Sequence, residues 1–69
     1  MFTVLIRFRS DAREQLFSAK SVEHHPNEGL YLALSDGEDM HLATSEGSEP
    51  YADVFVMNKG GKTVATYCL

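Results

Sequence analysis

The sequence predicts an all-β fold, a single small antiparallel barrel or roll of about six short strands spanning residues 1–69. Three observations carry that prediction. First, Phe2 to Arg9 alternates cleanly, with Phe2, Val4, Ile6 and Phe8 on one face and Thr3, Leu5, Arg7 and Arg9 on the other. This is the period of a strand that buries one face. Second, the segment from Ala52 to Leu69 reads as a hairpin that turns at Asn58-Lys59-Gly60-Gly61. Third, turn signals recur at spacings of roughly ten residues, as in small sandwiches and barrels.

The elements follow in order. Ser10 to Glu14 is a polar break. Asp11 and Glu14 have the spacing of a helix capping box, and Ala12, Leu16 and Ala19 would share a helix face. An α+β fold with a short helix around residues 11–20 is therefore the alternative. Pro26 would soon stop such a helix. Leu16 to His24 reads instead as a strand hairpinned to the first, with Phe17 and Ala19 on one face and Leu16 and Val22 on the other. Pro26-Asn27-Glu28-Gly29 supplies a preset φ, a residue tolerant of left-handed geometry and a glycine, which marks a turn. Leu30 to Leu34 is the next strand. Asp36-Gly37 is a second tight turn, and Asp39 to Ala43 a short strand. Thr44 to Tyr51 is aperiodic and rich in Ser, Gly, Glu and Pro, and reads as a loop.

In the last hairpin, Asp53 to Met57 is apolar on both faces, and Lys62 to Leu69 is β-branched and aromatic. Its Gly-Gly pair suits the positive φ angles of a tight turn. Leu30, Leu32 and Leu34 alternate with Tyr31, and Val54 and Val56 with Phe55 and Met57. One open sheet would expose one of these sets. A curled barrel, a helix laid on the sheet or a second subunit would cover both.

Size limits what the chain can do alone. At 69 residues it buries about 60% of the surface that its unfolded form exposes. Its core supplies a net stability of roughly 3–5 kcal/mol. The single cysteine, Cys68, excludes a disulfide within the chain and fits a reducing compartment. No apolar run is long enough to span a bilayer as a helix, and Met1 to Arg7 lacks a basic lead and a small-residue cleavage site. The expectation is a cytoplasmic protein without membrane association.

The net charge is −4, and its distribution is uneven. Arg7, Arg9, Arg13 and Lys20 lie in the first twenty residues, and Lys59 and Lys62 in the last turn. Between Ser21 and Asn58 stand eight acids (Glu23, Glu28, Asp36, Glu38, Asp39, Glu46, Glu49 and Asp53) and no lysine or arginine. Such a stretch is either plain solvated surface or an acidic face that repels nucleic acid and attracts a basic protein.

Motifs for chemistry are weak. Gly61-Lys62-Thr63 resembles the end of a phosphate-binding loop, but Val56 stands where the first glycine is required, and the following residues are strand-like. A turn entering a strand is the better reading. His24, His25 and His41 could meet a metal with Glu23 or Asp39. Neighbouring histidines on a strand point to opposite faces, so at most one of the pair can join His41. The acids of Asp36-Gly37-Glu38-Asp39 lack the spacing of a calcium loop. Cys68 reads as a buried, inert thiol, with no cation beside it in sequence. No nucleophile elbow or carboxylate pair stands out. Neither catalysis nor a cofactor or metal is expected. Arg7, Arg9 and Arg13 could bind a single nucleic-acid strand with Phe8 or Tyr31. Phe8 points away from Arg7 and Arg9, however, and the net charge opposes that use, so pairing with acids of neighbouring strands is preferred.

The run Val56-Met57-Asn58-Lys59-Gly60-Gly61-Lys62-Thr63-Val64-Ala65-Thr66-Tyr67 resembles the closing V-M-N-x-x-G-K-T-V-x-x-Y hairpin of small phage- and prophage-encoded β proteins. The resemblance covers the last quarter of the chain. It implies a β fold and a phage or prophage origin, and it carries no catalytic or binding residue. The functional expectation is a non-enzymatic protein-binding accessory module acting through the acidic surface. The alternatives are a structural, self-assembling homo-oligomeric subunit and a weak single-strand nucleic-acid binder through Arg7, Arg9 and Arg13.

Overall fold

A computed structural model describes residues 1–47 and 49–69. Ser48, inside the loop expected from Thr44 to Tyr51, lies outside the described residues. The chain folds into six strands: β1 (Phe2–Phe8), β2 (Glu14–His25), β3 (Gly29–Leu34), β4 (Asp39–Leu42), β5 (Ala52–Met57) and β6 (Thr63–Cys68). They form one antiparallel sheet in the order β4-β3-β2-β1-β5-β6. The first four strands make a meander. The chain then crosses to the free side of β1 and ends in the β5–β6 hairpin. The sheet is curled but not closed, so it is a roll rather than a barrel, and β4 and β6 are its edges.

No helix forms among the described residues. The two residues of the apparent capping box have other partners. Asp11 accepts the backbone N–H of Arg13 at 3.1 Å, a local turn closure. Glu14 already lies in β2 and pairs with Arg7. Ala12 takes a positive φ of 59°, which ends any helical run. The expected strand is thus present and longer than the sequence suggested.

The concave face holds the core. Val4, Ile6, Ala19, Leu30, Leu32, Ala52, Val54, Val56 and Leu69 are buried together. Leu30 and Leu32 come from one half of the sheet and Val54 and Val56 from the other, so curling packs the face against itself. One irregularity makes this pattern work. Ala19 pairs with Leu34 and Ser21 with Ala33, leaving Lys20 as an extra residue in β2. Such a bulge bends a strand and increases its twist. It also resets the alternation, so that Val22 shares the concave face with Phe17 and Ala19 and packs on the core. The sequence pattern had put Val22 opposite Phe17. A regular strand would have required that arrangement; the bulge removes it.

The turns obey the local chemistry. Asn27 has a φ of 72° and Gly29 of 109°. At the end of β5, the Asn58 carboxamide oxygen accepts the N–H groups of Gly60 (2.9 Å) and Lys62 (3.1 Å). Gly61-Lys62-Thr63 is therefore a turn entering β6. Of the glycine pair, only Gly61 takes a positive φ, 84°.

Candidate functional site

Three acids of the middle segment, Glu23, Glu28 and Asp39, gather on one part of the outer face. Register sets this arrangement. The Asp36-Gly37 turn pairs Tyr31 with His41 and Ala33 with Asp39. The β2–β3 pairing then puts Glu23 beside Tyr31 and Ser21 beside Ala33. The resulting rows, Glu23–Tyr31–His41 and Ser21–Ala33–Asp39, border a hollow of about 410 Å³. Ala33 has the small side chain that leaves room in its row.

Tyr31 is the centre of this site. Its ring lies flat on His41, with centroids 4.3 Å apart and planes 9° from parallel. His25 meets it edge-on at 5.0 Å and 89°. Glu28, in the β2–β3 turn, ties the group together. Its carboxylate accepts the Tyr31 hydroxyl at 3.4 Å, and its carbonyl lies 2.7 Å from Nε2 of His41. A carbonyl only accepts, so His41 donates from Nε2. Nε2 of His25 is 3.3 Å from the Glu23 carboxylate. Partial desolvation, and then the charge and hydrogen bond of Glu28, push the Tyr31 phenol above its ordinary pKa. The phenol therefore remains a neutral donor throughout the physiological range.

The remaining acids are placed elsewhere. Asp36 closes its own turn by accepting the Glu38 N–H at 3.0 Å. The carbonyl of Glu38 accepts the N–H of Leu34. Glu46 and Glu49 lie in the loop between β4 and β5 and are exposed. Asp53 belongs to the other half of the sheet. It receives two hydrogen bonds from Arg9, at 2.8 and 3.0 Å. Three of the eight acids, Glu23, Glu28 and Asp39, thus line the Tyr31 hollow or bond to its rings, and Asp53 is withdrawn from any common acidic surface.

The histidines separate as strand geometry requires. His24 points to the concave side and packs on Tyr67, 4.9 Å between centroids. His25 and His41 share the outer face with Tyr31 in contact with both. No group of three or more His, Cys, Asp or Glu is disposed to hold a metal among the described residues.

The arginines are engaged. Arg7 pairs with Glu14 at 2.7 Å, Arg9 with Asp53 at 2.8 Å and Arg13 with Asp11 at 2.7 Å. Arg7 also lies over the Phe55 ring at 6.0 Å, and Arg13 over Phe8 at 5.5 Å. Cys68 is exposed rather than buried. It occupies the outer face of β6 opposite Asp53, because the inward positions of that strand are Ala65 and Tyr67. The outer face of this half also carries the row Leu16–Leu5–Phe55, and Leu16 is 65% exposed.

The sequence pointed to the acids but not to Tyr31 as their centre. The signal was present: a turn at Asp36-Gly37 sets Tyr31 against His41 by counting outward along both strands. Among the described residues no helix is long and apolar enough to cross a membrane. No protein-family profile, curated protein or solved structure matches the chain.

Proposed function

We propose that the chain is a non-enzymatic protein-binding accessory module that takes a basic segment of a partner protein on the acidic outer face around Tyr31. The observation that carries this reading is the hollow bordered by Glu23, Tyr31, Asp39 and His41, on a stretch with no lysine or arginine from Ser21 to Asn58. A guanidinium or ammonium entering the hollow meets carboxylates on two sides and an aromatic face beside it. Ion pairing and cation–π attraction both favour that cation. The clustered like charge also attracts a basic partner before contact. A cytoplasmic setting and a phage or prophage origin accompany this reading, the latter supported by the likeness of the Val56 to Tyr67 hairpin.

The test is titration of the protein with arginine- and lysine-containing peptides, followed by amide chemical shifts. Shifts confined to β2, β3 and β4, weakened by salt and lost in Tyr31→Ala and in the Glu23→Gln/Asp39→Asn double variant, are expected. No saturable shift at low salt, or equal shifts in the double variant, would refute the assignment.

A further inference from the structure

We infer that β6 is a docking edge for the β6 strand of a second copy of this chain, paired antiparallel about a two-fold axis. The inference is independent of the Tyr31 hollow, which lies on the other half of the sheet.

The two edges of the sheet differ. β4 has four residues, includes Asp39 and His41, and directly follows Glu38. Short, charged edges resist strand addition. β6 has six residues, Thr63-Val64-Ala65-Thr66-Tyr67-Cys68, with no charge and no proline. Its outward N–H and C=O groups have no backbone partner among the described residues. A single bulge, at Val64, lies next to the turn, so the stretch from Ala65 onward remains regular and able to pair.

Charge identifies the occupant. At the turn end of β6 stand Lys59 and Lys62, which make no ion pair among the described residues. At the other end stand Glu49 and Asp53 around Arg9, Asp53 opposite Cys68 and paired with Arg9, so that this end carries one net negative charge. An antiparallel two-fold pairing brings the basic end of each copy toward the acidic end of the other. The same edge is thus complementary to itself, which is the requirement for an isologous interface. The pairing also joins the outer faces of the two copies in one extended sheet, where the row Leu16–Leu5–Phe55 ends at Thr66 of β6.

The test is sedimentation velocity in reducing buffer, which keeps Cys68 from forming a cross-link, together with hydrogen exchange on β6. A dimer at high micromolar concentration that dissociates on dilution is expected, with slower exchange of the β6 edge amides in the dimer. Thr66 is exposed, so Thr66→Lys is expected to retain the fold, as checked by circular dichroism. With the axis placed at Thr66, in the middle of the regular stretch, it is expected to raise the dissociation constant at least about tenfold, because lysines then face each other. Lys62→Glu is expected to weaken the dimer in the same direction. A strict monomer at high micromolar concentration would overturn the inference. So would a dimer that Thr66→Lys leaves intact, or β6 exchange that is independent of concentration; the latter two would move the contact to the outer face or to a different partner.

Discussion

The rings of His24 and Tyr67 pack 4.9 Å apart, although β1 and β5 stand between their strands in the sheet. A flat sheet would hold these strands about three strand spacings apart, some 14 Å. The contact is made across the concave face and measures how far the roll curls. The bulge at Lys20 adds bend and twist to β2, the strand that carries His24.

Deletion of Lys20 is expected to leave the same side chains facing in and out, since the strand then alternates regularly through Ala19, Ser21 and Val22. It removes the bend. The His24–Tyr67 contact should open, visible as lost ring-current shifts, and stability should fall by about 0.5–3 kcal/mol. Lys20→Ala keeps the backbone insertion and should change stability by no more than about 0.5 kcal/mol. Equal effects of deletion and substitution would disconnect the bulge from the curl.

Asp53 makes stability depend on acid. Hydrogen bonds from Arg9 hold its carboxyl below the ordinary value against partial desolvation, with smaller help from Cys68 and from the charges of Arg9 and Arg7. A depressed folded pKa means that the unfolded chain takes up the proton first. The stabilisation is therefore complete above the ordinary carboxylate value of about 4 and is lost as pH falls through the lower, folded value. In urea unfolding followed from about pH 6 to about pH 2, Asp53→Asn should lose less stability than the wild type. Parallel acid limbs would show that other carboxylates set the slope.

Gly29 is required twice over. Its φ is 109°, and a Cβ there would collide with the Leu42 carbonyl oxygen and lie 2.9 Å from the Thr44 backbone nitrogen. Gly37 also has a positive φ, 94°, but opens onto free space. Gly37→Ala should cost only the backbone strain, about 1–3 kcal/mol. Gly29→Ala should cost clearly more and leave the chain largely unfolded, as read from the denaturation midpoint.

Leu32 is 1% exposed and Leu16 65%. Leu32→Ala should cost about 2–5 kcal/mol, comparable with the roughly 3–5 kcal/mol that a core of this size provides. Leu16→Ala should lie within about 0.5 kcal/mol of wild type. Thermal unfolding by circular dichroism separates the two: a sigmoidal transition for Leu16→Ala, and a largely absent one for Leu32→Ala.

Much of this architecture is legible in the residues, and the failures have physical causes. The alternation from Phe2 to Phe8 and the turns at Asn27, Gly37 and Asn58 act over a few residues, so local patterns reveal them. The Lys20 bulge is a single extra residue in a polar stretch and leaves no periodic trace; its absence from the pattern put Val22 on the wrong face. The exposure of Cys68 depends on which parity of β6 faces inward. Val64 breaks that count, and a thiol beside a tyrosine reads as core. The acids around the hollow are visible in the sequence, while their separation from Asp53 depends on a crossing of the chain from β4 to β5. The roll differs from a barrel only in whether its two edges meet, which alternation does not encode.

All six lysines and arginines lie in residues 1–20 and 59–62, while seven acids and no lysine or arginine lie between Glu23 and Glu49. That separation gives the molecule an electric dipole as well as a net charge. A nearby charged surface therefore exerts a torque on it and turns it before contact. The orientation in which the chain meets another macromolecule is selected during approach, and this selection weakens as the Debye length shrinks with added salt.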